Sequence, residues 1–154
     1  MIVAAMKRRI LALAVFAVAA SGLLSACGSD GVSSSVQSDS AAVQAGATLF
    51  VERCAGCHSF DAAGAQGSAT KVSDKEKVDG PDLSVRKVCY EAVLYALQNG
   101  GYSGAIMPGN IVVGKEAEQV AAFVAKYSGE NAPTVASPTG PAVGCPQIPA
   151  GAGQ

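Results

Sequence analysis

The 154-residue sequence contains one histidine, His58, and no tryptophan. A single histidine excludes, within one chain, every site that needs two: bis-histidine haem, two-histidine zinc and the usual two-histidine iron and copper centres. Charge is also sparse. Asp, Glu, Lys and Arg make up 15 % of the residues, and the formal net charge is -1. Beyond Lys7, Arg8 and Arg9 there is no basic run. Clustered Lys and Arg are what neutralise phosphates, so this composition argues against a nucleic-acid binder. The length suits one domain rather than two.

Lys7, Arg8 and Arg9 precede an uncharged apolar run, Ile10 to Leu24. Apolar sequence after positive charge reads as a secretory signal. The run is shorter than the roughly 20 apolar residues of a spanning helix. It ends in Leu24-Ser25-Ala26-Cys27, which resembles a bacterial lipobox. On that reading residues 1–26 are the signal peptide and Cys27 is the acylated new N-terminus. The alternative is an uncleaved membrane anchor in which Cys27 is an incidental small residue. Both place the domain outside the cytoplasm, periplasmic or on the outer surface, and attached to a bacterial membrane. Several acyl chains hold stably where one is marginal. The mature part keeps eight Lys+Arg against twelve Asp+Glu, a net of -4 (8 minus 12). An acidic face suits a partner with a basic docking patch, but only weakly.

After Cys27, residues 28–40 are Gly-, Ser- and Asp-rich, so 27–40 is expected to be the lipidated cysteine plus a flexible tether. Residues 129–154 hold five of the seven prolines and read as an irregular tail. The ordered domain is therefore expected at 41–128, a length that usually needs a cofactor, metal or disulfide for stability. Three helices are expected in it. In the first, Val43, Ala47, Phe50, Val51 and Cys54 fall on one face. The second starts at Ser84 as N-cap, repeats Val85, Val88, Cys89, Ala92, Val93, Ala96 and Leu97, and stops at Asn99-Gly100. The third buries Ala117, Val120, Ala121 and Val124 and ends at Gly129, with Glu116 and Glu118 near its start and Lys126 near its end. No segment alternates as a strand does. The loop from Phe60 to Asp79 is long and polar, and its charged part, Lys71 to Lys77, reads as solvated surface or a short helical turn.

The first helix ends in Cys54-Ala55-Gly56-Cys57-His58. C-x-x-C-H is the spacing of a c-type haem attachment site. Two thiols about one turn apart reach the two vinyl groups on one porphyrin edge, and the adjacent imidazole points at the iron. Export fits, since haem c is attached outside the cytoplasm. Two other readings compete. A Cys54–Cys57 redox pair would resemble a thioredoxin site, but no βαβ pattern surrounds it. A zinc site of Cys54, Cys57, His58 and Cys89 has the right ligand count, but the neighbours Cys57 and His58 would both have to turn onto one ion.

With His58 on one side of the iron, no second histidine can fill the other. Met1 and Met6 leave with the signal, so Met107 is the one methionine of the mature chain. It lies 49 residues after His58, in Gly104-Ala105-Ile106-Met107-Pro108-Gly109. Met107 read as a core gap-filler is the bland alternative. Its setting between Gly and Pro, off any helical face, favours an axial ligand, because Met/His ligation is a standard c-type arrangement.

On these residues, 41–128 resembles a class I cytochrome c domain. The resemblance implies a small all-α fold, with about three main helices and long loops wrapped around one covalently bound haem c. Gly46 and Phe50 match the small and aromatic positions at which the family's first and last helices cross, with Phe123 and Tyr127 as partners on the last. Gly80-Pro81-Asp82-Leu83 resembles the family's Gly-Pro-x-Leu segment, in which the proline carbonyl accepts a hydrogen bond from the haem histidine. An ordinary turn is the alternative for Pro81 and Leu83. Asn99-Gly100 and Met107-Pro108-Gly109 resemble the approach to the methionine loop. The stretch from His58 to Pro81 is longer than in the shortest members, and the proline-rich tail is extra.

Cys89 and Cys145 remain, an even pair in an oxidising compartment, and a disulfide between them would staple the tail to the second helix. A buried free thiol at Cys89 is the alternative. The expected function is electron transfer rather than catalysis: a membrane-tethered, monohaem one-electron carrier of a respiratory chain, monomeric or a subunit of a respiratory complex. The resemblance implies partners such as a cytochrome bc complex, a haem–copper oxidase or a periplasmic dehydrogenase. The competing function is a peroxidase or small-gas sensor with an open sixth site, for which Arg53, Arg86 and Tyr102 are the residues to watch.

Overall fold

A computed structural model describes residues 31–101, 107–132 and 144–154. The chain divides at Asp30/Gly31, and the unit Gly31–Gln154 is the one described. Residues 1–26, Cys27, Tyr102, the stretch 104–106 and the first part of the tail lie outside the described residues.

Among the described residues there are four helices: α1 (Ser34–Gln37), α2 (Ala41–Arg53), α3 (Tyr90–Asn99) and α4 (Gly114–Tyr127). Between α2 and α3 lie two short strands, β1 (Ser59–Phe60) and β2 (Ala65–Gln66), and two 3-10 turns, Asp61–Ala63 and Val72–Asp74. The fold is mostly helical, as expected. The strands correct the expectation of none: they pair antiparallel, Ser59 with Gln66 and Phe60 with Ala65.

Helix α2 begins where Ser40 caps it, its hydroxyl accepting from the Val43 N–H at 3.4 Å. It buries Val43, Gly46, Ala47 and Phe50 against α4. Val51, expected on the same face, is 43 % exposed. It lies one residue, about 100° of helix, beyond Phe50 and falls off the edge of the buried stripe. The crossing is close because Gly46 has no side chain. A Cβ there would run into the backbone carbonyl of Gln119 and sit 3.0 Å from the Phe123 Cβ. Phe50, Phe60 and Phe123 then meet with ring centroids 5.1 to 5.9 Å apart, in the edge-on and tilted geometries that aromatic quadrupoles favour. Tyr127 extends the cluster.

Helix α4 buries the expected Ala117, Val120, Ala121 and Val124, and also Ala122, Phe123, Ala125 and Tyr127. Its last carbonyls are capped by a distant cation, the Lys87 ammonium, which donates to Ala125 O at 2.6 Å and to Lys126 O at 3.4 Å.

Helix α3 is shorter than the sequence pattern suggested. It starts at Tyr90, with Cys89 as N-cap, and buries Tyr90, Val93 and Leu97. Residues 84–88 are not helical, and Val85 is 48 % exposed. The tertiary structure competes for this segment's hydrogen bonds. Gly129 N–H donates to Leu83 O and Asn131 N–H to Ser84 O, while Val88 N–H donates to the Ser128 hydroxyl. Ser84, expected as a helix cap, instead accepts from the Asp61 N–H at 2.8 Å.

The expected tether is also corrected: residues 31–40 are built into the domain. Val36 is fully buried. The Asp39 carboxylate accepts from the Tyr127 hydroxyl at 2.7 Å and pairs with the Lys126 ammonium at 2.6 Å. Burial alone would raise the Asp39 pKa; the Lys126, Tyr127 and Ser40 hydrogen bonds outweigh it and hold the carboxyl below its usual range. Burial, the hydrogen bond to Asp39 and its charge push the Tyr127 hydroxyl up to about 12. Gly/Ser composition suggested flexibility here, but one valine at the right place docks the segment.

The tail returns to the domain. Cys145 is disulfide-bonded to Cys89. Ile148 and Ala152 pack on the core, and Gly153 exchanges hydrogen bonds with Glu118 and Gln119. Lys71 to Val78 is exposed, as expected of solvated surface, with the short 3-10 turn inside it.

Candidate functional site

The Cys54–His58 segment leaves the C-terminus of α2 as a tight turn. Cys54 and Ala55 N–H both donate to Phe50 O, and Cys57 and His58 N–H both donate to Cys54 O. Cys54 is half-buried and Cys57 exposed, and both are free thiols. Burial, followed by the influence of Cys57, pushes the Cys54 thiol up to about 11, so near neutral pH it is protonated.

His58 is fixed through one nitrogen. Its Nδ1 lies 3.0 Å from the carbonyl oxygen of Pro81. A carbonyl only accepts, so Nδ1 carries the proton and Nε2 keeps its lone pair for a metal. Pro81 is brought to the ring by two backbone bonds: Gly80 N–H donates to Cys57 O at 2.7 Å, and Leu83 N–H donates to Ser59 O at 2.9 Å. Leu83 itself is buried. The structure thus brings Pro81 to His58, which adjoins Cys57 in sequence, and holds Leu83 on Ser59.

Met107 belongs to another segment, at the C-terminal end of α3. Its carbonyl accepts from Gly101 N–H at 3.1 Å, and its side chain is half-buried against the core. Asn110 N–H donates to Leu97 O and so ties the same loop to α3. Arg53 and Arg86 are exposed.

Several further residues position the site. A Cβ at Gly80 would land on the His58 imidazole, and one at Gly67 would land on the backbone of residues 55–57. Gly67 N–H also donates to His58 O at 3.3 Å. The buried Ser59 hydroxyl donates to Ser68 O and accepts from Ser68 N–H, both at 3.0 Å. Ser84 accepts from Asp61, and its own N–H is held by the Asp82 carboxylate. Gly80 stands in the Gly80-Pro81-Asp82-Leu83 segment, Gly67 is a glycine in a polar loop, and Ser84 carries a helix-cap pattern; Ser59 and Ser68 gave no signal.

This geometry fits haem c: two free thiols, an imidazole nitrogen left open by its partner, and a glycine where a side chain would displace the ring. It fits zinc poorly, because Cys89, the expected fourth ligand, is bonded to Cys145. No curated protein and no solved structure is found to match the chain. Residues 43–128, 86 of the 154, do match a family model, that of cytochrome c. The chain therefore belongs to the cytochrome c family, proteins with covalently bound haem c that serve in general as electron carriers.

Proposed function

We propose that this cytochrome is a one-electron carrier of an extracytoplasmic respiratory chain, tethered to a bacterial membrane through acylated Cys27. In this reading Cys54 and Cys57 hold the haem as thioethers, and His58 and Met107 are its axial ligands. When bound, the group supplies a one-electron Fe(III)/Fe(II) couple. The chain does the rest. Pro81 orients the imidazole and raises its basicity. The thioether of Met107 favours the reduced state, and apolar packing penalises the extra charge of the oxidised one. With His58 and Met107 both holding the iron, no position on it would be left for a substrate, and redox partners would meet the domain in brief encounters. A cytochrome bc complex, a haem–copper oxidase or a periplasmic dehydrogenase fits this role.

The observation that carries the reading is the His58–Pro81 hydrogen bond beside two free thiols. Optical spectra of the exported protein test it. Sharp reduced c-type bands, a weak far-red sulfur-to-iron band in the oxidised form and indifference to carbon monoxide are expected. A high-spin spectrum that shifts with carbon monoxide removes Met107 from the iron and puts the peroxidase or gas-sensor reading in its place.

A further inference from the structure

The point where the domain begins has a neighbour that the sequence did not suggest. Gly31 sits on the 3-10 turn between β1 and β2. A Cβ on it would lie 3.0 Å from Ala63 O and 3.5 Å from the Gly64 Cα, and a Cβ on Gly64 would run into the Gly31 backbone. Ser33 N–H donates to Ala62 O at 3.0 Å. That turn starts three residues after His58. Farther along, buried Val36 and the Asp39 contacts with Tyr127 and Lys126 fix the rest of the segment. The chain between Cys27 and the docked domain is therefore residues 28–30, not 28–40.

Its length limits where the domain can go. From Cys27 to Gly31 there are four Cα steps, which span at most about 14 Å. The longer tether expected from the sequence would have had a root-mean-square reach of about 20 Å and a far greater maximum. A domain of about 120 residues has a radius of gyration near ~14 Å, hence a diameter of roughly 35 Å. A leash shorter than half that diameter does not allow the tethered face to turn away from its anchor.

We infer that the face formed by residues 31–38 and the β1–β2 turn is the membrane-apposed face of this cytochrome, lying on the lipid headgroup layer with His58 at the membrane-proximal end. The inference rests on the acylation of Cys27 in the proposed function. The chemistry of the face agrees. Its exposed residues are Gly31, Ser34, Ser35, Gln37, Ser38, Gly64, Gln66 and one charge, Asp61, which is held by the Asn131 amide at 2.7 Å. Small neutral groups approach headgroups without desolvating charge. With no Lys or Arg there, apposition relies on the covalent anchor and is insensitive to anionic lipid and to salt. A partner that takes the electron then has its own entry close to the bilayer surface.

Nitroxide labels on Gln66→Cys and Tyr95→Cys test this in the haem-loaded protein on vesicles containing a nickel-chelating lipid. Tyr95 is exposed on α3, whose main packing partner is α4. The expected result is a several-fold greater relaxation enhancement by the lipid-borne nickel at 66 than at 95, unchanged in high salt. Ten Gly/Ser residues inserted after Asp30 should bring the two labels together without detaching the protein. Equal enhancement in the membrane-bound protein, or an insertion without effect, overturns the assigned face and leaves the anchor intact. A Cys27→Ser protein that stays on the membrane as the wild type does overturns the acyl anchor, and the face with it.

Discussion

Gly46→Ala is a single methyl group placed where the two longest helices touch. On an ordinary helix surface the change would help, since Ala is favoured over Gly by about 1 kcal/mol. Here the new Cβ would meet the carbonyl of Gln119 in α4, inside any tolerable contact distance, and the Phe123 Cβ at 3.0 Å. The obstacle is backbone within a packed helix, so no rotamer change relieves it and the helices must separate. Overpacking of a core costs about 1–3 kcal/mol, and the upper end applies when backbone must move. The net loss is about 2 kcal/mol. At about 4 °C per kcal/mol for a domain of this size, Tm should fall by roughly 8 °C. Far-UV circular dichroism melts of the haem-loaded protein measure it, with Glu52→Ala, on the exposed side of the same helix, as the control for propensity. A Gly46→Ala protein that melts at or above the wild type would refute the close crossing of α2 and α4.

Other outcomes follow from the same structure. Gly80→Ala puts a methyl group on the His58 ring and should disturb the low-spin spectrum, with the far-red band lost first; an unchanged oxidised spectrum would show that Gly80 does not abut the imidazole. Cys145→Ser opens a link between residues 56 apart in sequence, worth at most about 4 kcal/mol by the loop-entropy argument, and should lower the urea midpoint; an unmoved midpoint would mean that the tail adds nothing to stability. The Asp39–Tyr127 pair sets two pH limits. Asp39 has a lowered pKa, so its contribution is complete above the ordinary carboxylate pKa of about 4 and is lost as pH falls further. Tyr127 is raised to about 12, so its contribution is complete below about 10 and is lost as pH climbs through 12. Amide exchange at residues 33–40 should therefore quicken at both extremes, and Tyr127→Phe should remove the alkaline limit and weaken the acid one, since Asp39 loses one of the hydrogen bonds that hold its carboxyl low.

The sequence made the ends of the site legible and left the middle obscure. Cys54, Cys57 and His58 form a short motif whose chemistry dictates its spacing, and Gly80-Pro81-Asp82-Leu83 was readable by resemblance. Gly46 and Phe50 were legible because helical period and a close crossing constrain the same positions. The second helix was misjudged at its start. Val85 and Val88 keep the helical period, yet residues 128–131 compete for the backbone there, and a one-dimensional pattern does not register a partner 40 residues away. The Gly/Ser composition of 28–40 hid the docking of Val36 in the same way. Ser59 and Ser68 were invisible because a buried serine and a surface serine look alike until their neighbours are known, and Ser84 reads as a helix cap until Asp61 is seen beside it.

The aromatic cluster has a consequence for the order of events as the chain is made. Phe123 follows His58 by 65 residues, and the strand-like contacts that seat Leu83 and Ser84 come from residues 129 and 131. A polypeptide delivered N-terminus first shows Cys54, Cys57 and His58 long before the last helix exists to pack behind them. Contacts so distant in sequence form late, because the intervening loop must close first. For that interval the two thiols and the imidazole are carried on an open chain, accessible from every side to whatever joins the cofactor to them. The arrival of α4 then closes the Phe50–Phe60–Phe123 stack behind the motif, and residues 129 and 131 fasten Leu83 and Ser84 next to Pro81. Final assembly of the cradle thus waits on the C-terminal third of the protein, and covalent attachment has time to precede it.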